Sequence, residues 1–237
     1  MKIAILRIGV DSGSGGIQGP LFQDGSFEYI PIPDGSGIDE RTYANTSGLK
    51  GRKLVEYFPQ NRQVKMADCS IHFDPEFVTF TYGDPTLPKA GLGRLDKGDM
   101  LVFYCGLKGW DFASEEALYL MGYFDVLVAG KPIDFGDQGT RKLFGDNFHV
   151  RHEPVFKRQK ADLVLVKGSE HSRLLTKAAQ ISVVGQDRTG KPLKVLSPEM
   201  QTIFGSFHGR LSFQRSPTRW VDPSYVSLAA EYMRSLP

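Results

Sequence analysis

The chain has 237 residues, 41% of them hydrophobic and 24% charged, which suits one large globular domain or two small ones. No apolar run reaches the roughly 18 residues a membrane span needs, and the start lacks the pattern of a signal peptide, so the expected compartment is the cytoplasm. Two cysteines, Cys69 and Cys105, are too few for a disulfide scaffold and read as buried free thiols.

The net charge of +2 hides an asymmetry: residues 1–140 carry 13 Lys+Arg and 19 Asp+Glu, whereas residues 141–237 carry 16 and 8. A basic half raises the prospect of a polyanionic partner; the plainer reading is a solvated surface.

In chain order, residues 2–9 predict a strand that runs into a glycine-rich loop. "LFQDGSFEYIPIPD" predicts a hairpin turning at Asp24-Gly25, with Phe27 to Ile30 as the return strand. Residues 34–50 are polar and read as loop, and Arg52 to Tyr57 as a short helix stopped before Pro59. "SIHFDPEFVTFTY", residues 70–82, alternates and reads as extended. "LDKGDMLVFYCGL" is a turn followed by a buried strand from Met100 to Cys105, with Asp99 bonding backbone amides in the turn. "ALYLMGYFDVLVAG" is a strand pair or one long bent strand with Gly122 as a bulge, and "ADLVLVKG" is a further strand. "SEHSRLLTKAAQIS" predicts a helix capped by Ser169, with Leu174, Leu175 and Ala178 on one face. "VDPSYVSLAAEYMRSL" predicts a last helix capped by Asp222 with Pro223 in its first turn. The expected fold is α+β or α/β, one domain over residues 1–237, with a long surface loop or seam near 130–160.

The glycine loop, "RIGVDSGSGGIQGPLF", invites comparison with phosphate-binding loops. A dinucleotide fingerprint needs a third glycine opening a helix, and here the position holds Gln18 and a hairpin follows. A Walker loop needs Gly-Lys-Ser/Thr, which is absent. Two readings stay open. The glycines serve tight packing at positive φ, or Asp11, Ser12, Gly13, Ser14, Gly15 and Gly16 contact a nucleotide or other small ligand through an anion-binding nest or the Asp11 carboxylate.

His72, Asp74 and Glu76 alternate, and residues i, i+2 and i+4 of a strand share one face. That face is either a polar edge or a site for acid–base catalysis or a divalent metal, with Tyr82 and Asp84 placed to line the same pocket. Gly13, Gly15 and Gly16 are expected to line one concave surface together with the His72-to-Asp84 segment. His149 and His152 make a weak zinc signal, since no cysteine lies near. Arg151, Lys157, Arg158, Lys160, Lys167 and Arg173 are the candidate phosphate contacts, and the basic-aromatic segment at residues 213–220 suits stacking on bases. His171 and Arg173 read as a solvated helix face. No Gly-x-Ser-x-Gly elbow, Cys-x-x-Cys or His-Glu-x-x-His is present.

The opening 34 residues, together with "HFDPEFVTFTYGD", "LDKGDMLVFYCGL" and "LYLMGYFDV", resemble the nucleotide modification associated domain 3 (Nmad3) family in matching order. The resemblance implies a role near DNA base modification and carries no catalytic set with it. The middle region also resembles PUA-like modules such as the EVE and ASCH domains, at Gly98-Asp99, Phe103-Tyr104 and Tyr119 to Val126. That resemblance implies a β-barrel cupping a base in an aromatic-lined pocket.

The leading function is therefore a DNA-modification-associated protein that binds a nucleotide or modified base. The alternatives are a transferase or hydrolase on nucleotides using His72, Asp74 and Glu76, and a non-catalytic scaffold of a modification complex. The partners implied are DNA or a nucleotide and other proteins of the modification system, not a membrane. The residues name no cofactor, with a divalent metal left open.

Overall fold

The computed structural model describes residues 1–213 and 217–237. Residues 214–216, part of the basic-aromatic segment, lie outside the described residues.

Strands β1 (Ile3–Arg7), β2 (Gly19–Leu21), β3 (Ile32–Pro33), β4 (Ile71–His72) and β5 (Thr81–Asp84) occupy the first third, with helix α1 (Gln60–Ala67) between β3 and β4. Strands β6 (Met100–Gly109) and β7 (Ala117–Gly130) follow, then helices α2 (Pro132–Phe144), α3 (Phe148–Arg151) and α4 (Glu153–Gln159). The last part holds β8 (Val164–Gly168), β9 (Arg173–Gln180), β10 (Ser182–Gln186), β11 (Pro192–Leu196), α5 (Pro198–Phe204), β12 (Arg219–Trp220) and α6 (Val226–Ser235).

The β6–β7 hairpin is the axis of the molecule. Its two long strands pair antiparallel from Met100–Asp125 to Leu107–Ala117, and each carries two short neighbours end to end. β6 takes β1 in parallel over Met100 to Tyr104 and β2 in parallel over Leu107 to Gly109. β7 takes β9 over Tyr119 to Tyr123 and β8 over Val126 to Gly130, both antiparallel. The register shifts beside Met121, where the Gly122 bulge was expected.

The sheet runs β12-β1-β6-β7-β8-β5, and its two end strands do not pair with each other. The class is α+β, and the PUA-like barrel expected from the middle region is corrected to an open mixed sheet. β6 reads as an unbroken apolar run because both its faces are covered. Phe103 and Phe124 are wholly buried, with ring centroids 4.7 Å apart in an edge-to-face contact.

Three further expectations are corrected. Residues 173–180 are strand β9 and not a helix, because the exposed edge of β7 offers a ladder that outweighs the helical spacing of Leu174, Leu175 and Ala178. Residues 130–160 are three helices instead of a loop. Phe27 to Ile30 form no regular strand, although the turn at Asp24-Gly25 is present: Phe22 N–H donates to Ser26 O at 2.8 Å. Asp222 caps a 3-10 turn over Pro223–Tyr225 that leads into α6, accepting from Ser224 N–H at 3.0 Å. Asp99 accepts from Lys2 N–H and Asp96 N–H at 2.6 and 2.8 Å in the turn before β6. Cys105 is buried, and burial pushes its thiol up to about 12; Cys69 is half-buried at the end of α1.

Two satellite cores flank the main one. Val10, Tyr43, Phe58 and Ile71 pack beneath α1 and the polar loop. Phe144, Val150, Phe156 and Leu165 pack under α2–α4. The polar loop is bound to the helices through Asp39, whose side chain is fully buried and accepts from Arg41 Nε and Nη2 at 2.9 and 2.6 Å and from His152 Nε2 at 3.1 Å.

Burial works to raise the pKa of Asp39, but Arg41 and His152 hold its carboxyl well below the usual carboxylate range. A depressed folded-state pKa contributes stability that is full above the unfolded value of about 4 and is lost as pH falls through the folded value. Asp39→Asn should therefore lower the urea midpoint at neutral pH, and the gap to the wild type should narrow below about pH 4. An equal gap at neutral and acid pH would contradict this account.

Candidate functional site

A cavity of about 510 Å³ opens beside the carboxyl ends of β1 and β5. Its wall is assembled from segments far apart in sequence. The loop after β1 supplies Gly9, Asp11 and Ser14, the end of β4 supplies His72, and the following turn supplies Asp74. β5 and its exit supply Tyr82 and Asp84, and α3 supplies His149.

The glycine loop is shaped by its own aspartate. Asp11 Oδ1 accepts from Gly13 N–H and Ser14 N–H, both at 2.7 Å, and Gly16 N–H donates to Asp11 O at 2.8 Å. Gly15 and Gly16 have φ of +86° and +73°, which side-chain-bearing residues rarely adopt. The amides that would form an anion nest are thus spent within the turn. Asp11, with Arg7 Nη2 3.3 Å from its Oδ2, faces the cavity, as does Ser14. Gly13, Gly15 and Gly16 do not line this cavity as expected; Ser12 and Gly16 line a separate one with Tyr57 and Trp110.

The deepest group is Asp74, whose side chain is 3% exposed. Gly83 N–H donates to its Oδ2 at 2.9 Å, and Asn147 Nδ2 donates to Oδ1 at 3.3 Å. His149 Nε2 lies 3.3 Å from Oδ2, and the same nitrogen lies 3.1 Å from His72 Nε2. His149 is aimed by Gln159, whose Oε1 is 2.6 Å from Nδ1, and by Asn147, whose Oδ1 accepts from His149 N–H at the start of α3. His72 stacks on Phe148 at a centroid distance of 4.1 Å.

Burial pushes Asp74 up to about 6 against the pull of His149. Burial, then the neighbouring His149, push His72 down to about 3. For His149 burial works against the charge, but Asp74 and Gln159 outweigh it, and its pKa is raised. Tyr82 donates to Asp84 Oδ2 at 3.0 Å, and burial drives the phenol far up. Such displaced titrations concentrate where proton transfer or ligand binding takes place. Arg7 and Lys89 add cationic groups to the wall, each with contacts inside the chain.

Glu76 is not part of this group. The chain turns after Asp74, and the Glu76 carboxylate accepts from Val78 N–H and, at 2.7 Å, from Thr79 N–H, so the shared strand face expected for His72, Asp74 and Glu76 does not form. His149 and His152 part ways across the end of α3, one toward Asp74 and the other toward Asp39. Pairing His149 with His72 was beyond sequence reasoning, because nothing in a 77-residue separation signals it.

Most of the basic residues have partners within the chain. Arg151 pairs with Glu40, Lys157 with Glu153 at 3.4 Å, and Lys160 with Asp137 at 2.6 Å. Arg158 is exposed on α4, and Lys167 on β8 donates to Thr79 O. Arg173 lies on β9 against Tyr123 and Arg234 O. A larger cavity of about 600 Å³, lined by Phe27, Leu54, Phe73 and Phe77, lacks the histidine–carboxylate group. The Glu28 carboxylate on its wall accepts from Leu49 and Lys50 N–H and from the Tyr57 hydroxyl.

The family model described as nucleotide modification associated domain 3 matches residues 2–235. The chain belongs to this family. No curated protein and no solved structure matches it. The family's association with nucleotide modification is what this cavity has to be measured against. No helix among the described residues is long and apolar enough to cross a membrane.

Gly83 leaves no room for a side chain. A Cβ there would stand 2.8 Å from Asn147 Oδ1 and 3.0 Å from His149 Cδ2. Gly83→Ala should displace both partners of Asp74, shift the His149 imidazole signals in NMR spectra and cost about 1–3 kcal/mol. Gly35→Ala, with nothing within 4 Å of the added carbon, should leave both unchanged. Unmoved His149 signals in Gly83→Ala would refute the packing argument.

Proposed function

We propose that this protein binds a nucleotide, or the base of one, in the 510 Å³ cavity between the Asp11 loop and the His72–Asp74–His149 group. The observation that carries this reading is convergence. Five segments separated by up to about 140 residues deliver polar and titratable groups to one concave surface, in a chain that belongs to a nucleotide-modification family. The volume falls in the range of about 300–1,000 Å³ common to small-ligand sites. Asp11 and Asp84 can accept from exocyclic amines or sugar hydroxyls. Arg7 and Lys89 can face a phosphate.

A second reading, a transferase or hydrolase acting on the bound nucleotide, is favoured by one pair of groups. Asp74 is raised to about 6 and His72 lowered to about 3 within one cluster, and groups pushed apart in this way can divide acid and base roles.

Nucleosides and nucleotides with ordinary and modified bases, titrated into the protein by calorimetry and thermal denaturation, test the binding reading. A ligand at a hundredfold excess over its Kd should stabilise the fold by about 2.7 kcal/mol. Asp84→Ala should weaken the response at least tenfold. Failure of every nucleotide to bind would end the reading.

The site of a single nucleotide also makes the basic residues of α4 dispensable, since Lys157, Arg158 and Lys160 do not line the cavity. Reversing Lys157, Arg158 and Lys160 to Glu should leave nucleotide binding unchanged. If labelled duplex or single-stranded DNA binds at about 50 mM salt and the triple reversal abolishes that binding alone, DNA contacts the α4 surface separately from the cavity.

A further inference from the structure

We propose that His72, Asp74 and His149 form a two-histidine, one-carboxylate site for a divalent first-row metal ion of the zinc or iron(II) type, with its open coordination positions facing the cavity. Two of the three donor–donor distances already match a single ion. Ligand atoms bonded to one ion at about 2.0–2.1 Å stand about 3.3 Å apart in tetrahedral coordination. The observed His72–His149 and His149–Asp74 separations are 3.1 and 3.3 Å. The third side of the triangle is no longer than 4.8 Å, and because two bonds of about 2.1 Å span at most about 4.2 Å, His72 and Asp74 would close slightly on the ion.

The hydrogen bonds around the three groups point the same way. Gln159 Oε1, 2.6 Å from His149 Nδ1, holds His149 Nε2 toward a carboxylate oxygen and another imidazole nitrogen. Groups at such distances can share one cation, a proton or a metal ion, and a metal ion engages all three at once. Asp74 is oriented by Gly83 N–H and Asn147, and His149 by Gln159. Outer partners of this kind fix metal-bound histidines and carboxylates in known sites. All three residues line the cavity, so positions beyond the three protein ligands are open to water or to a bound molecule. Two imidazoles and one carboxylate suit zinc or iron(II), whereas magnesium prefers an all-oxygen shell.

The metal and nucleotide readings share a cavity, but the metal is measured with no nucleotide present, so either can fail without the other. The full chain, stripped with a chelator and dialysed, is titrated with zinc, with iron(II) under anaerobic conditions, and with cobalt(II) as a visible-absorption probe. One equivalent of zinc or iron(II) per chain and a cobalt d–d spectrum are expected, and magnesium in excess should not displace the cobalt. His72→Ala and Asp74→Asn should abolish the cobalt spectrum. Gln159→Ala, which removes only the aiming contact, should weaken binding about 10–100-fold. His171→Ala, an exposed histidine away from the cavity, should bind as the wild type does. Failure of the wild-type chain to bind zinc, iron(II) or cobalt overturns the proposal whatever the variants do. Binding that survives His72→Ala at full strength overturns it as well, since the metal would then be held elsewhere.

Discussion

A carboxylate as deeply buried as Asp74 is tolerated only where hydrogen bonds or an opposing charge replace the water it has lost. That demand is met by Gly83 N–H from β5, Asn147 from the turn before α3, and His149 from α3 itself. Each partner comes from a segment with its own anchorage. β5 is zipped to β8 from Thr81–Lys167 to Asp84–Val164, and α3 is fastened by Val150 in the core beneath the helices. The opposite wall is anchored independently, because Val10 inserts the start of the glycine loop into the core under α1. The cavity lies between these two walls, and the buried carboxylate ties its far wall together.

The β6–β7 hairpin sets the scale on which these pieces meet. β1 and β2 lie along one strand and β9 and β8 along the other, so four short strands are placed by two long ones. Local contacts could not have assembled them. β1 reaches its parallel neighbour across more than ninety residues, and β5 joins the sheet only through β8.

What the sequence revealed follows from that division. β6, β7 and β8 were legible because their apolar runs are long, bounded by turns and rich in branched and aromatic residues. The Gly122 bulge and the Asp99 turn were legible because both are local backbone chemistry. β9 was not, since the spacing of Leu174, Leu175 and Ala178 fits a helix and only the waiting edge of β7 makes it a strand. At the site, Asp11, His72, Asp74, Tyr82 and Asp84 were named from local pattern and do line one cavity. Glu76 was included on the assumption of an unbroken strand, and the turn at Val78 and Thr79 takes its carboxylate instead. His149 was assigned to the wrong neighbour, His152, because sequence proximity is a poor guide to which imidazoles meet.

The glycine loop bears on what the cavity can recognise. Its resemblance to a phosphate loop fails in chemistry as well as in pattern, since Asp11 consumes the Gly13 and Ser14 amides that such a loop would offer an anion. The cavity therefore greets a ligand with side chains, and these are charge-balanced only narrowly. Arg7 stands against Asp11, and Lys89, which has contacts within the chain, lies on the same wall near Asp84. A wall of this composition favours the hydrogen-bond donors of a base or sugar over a phosphate. In the proposed metal site a divalent ion among His72, Asp74 and His149 would reverse that preference and make the deep end of the cavity attractive to a phosphate oxygen or a metal-bound water. Metal loading and ligand orientation are then one question. Without the ion, the donor-rich end of a nucleotide would point toward Asp74; with it, the phosphate or another anionic group would take that end, and the base would be left to Asp11 and Asp84.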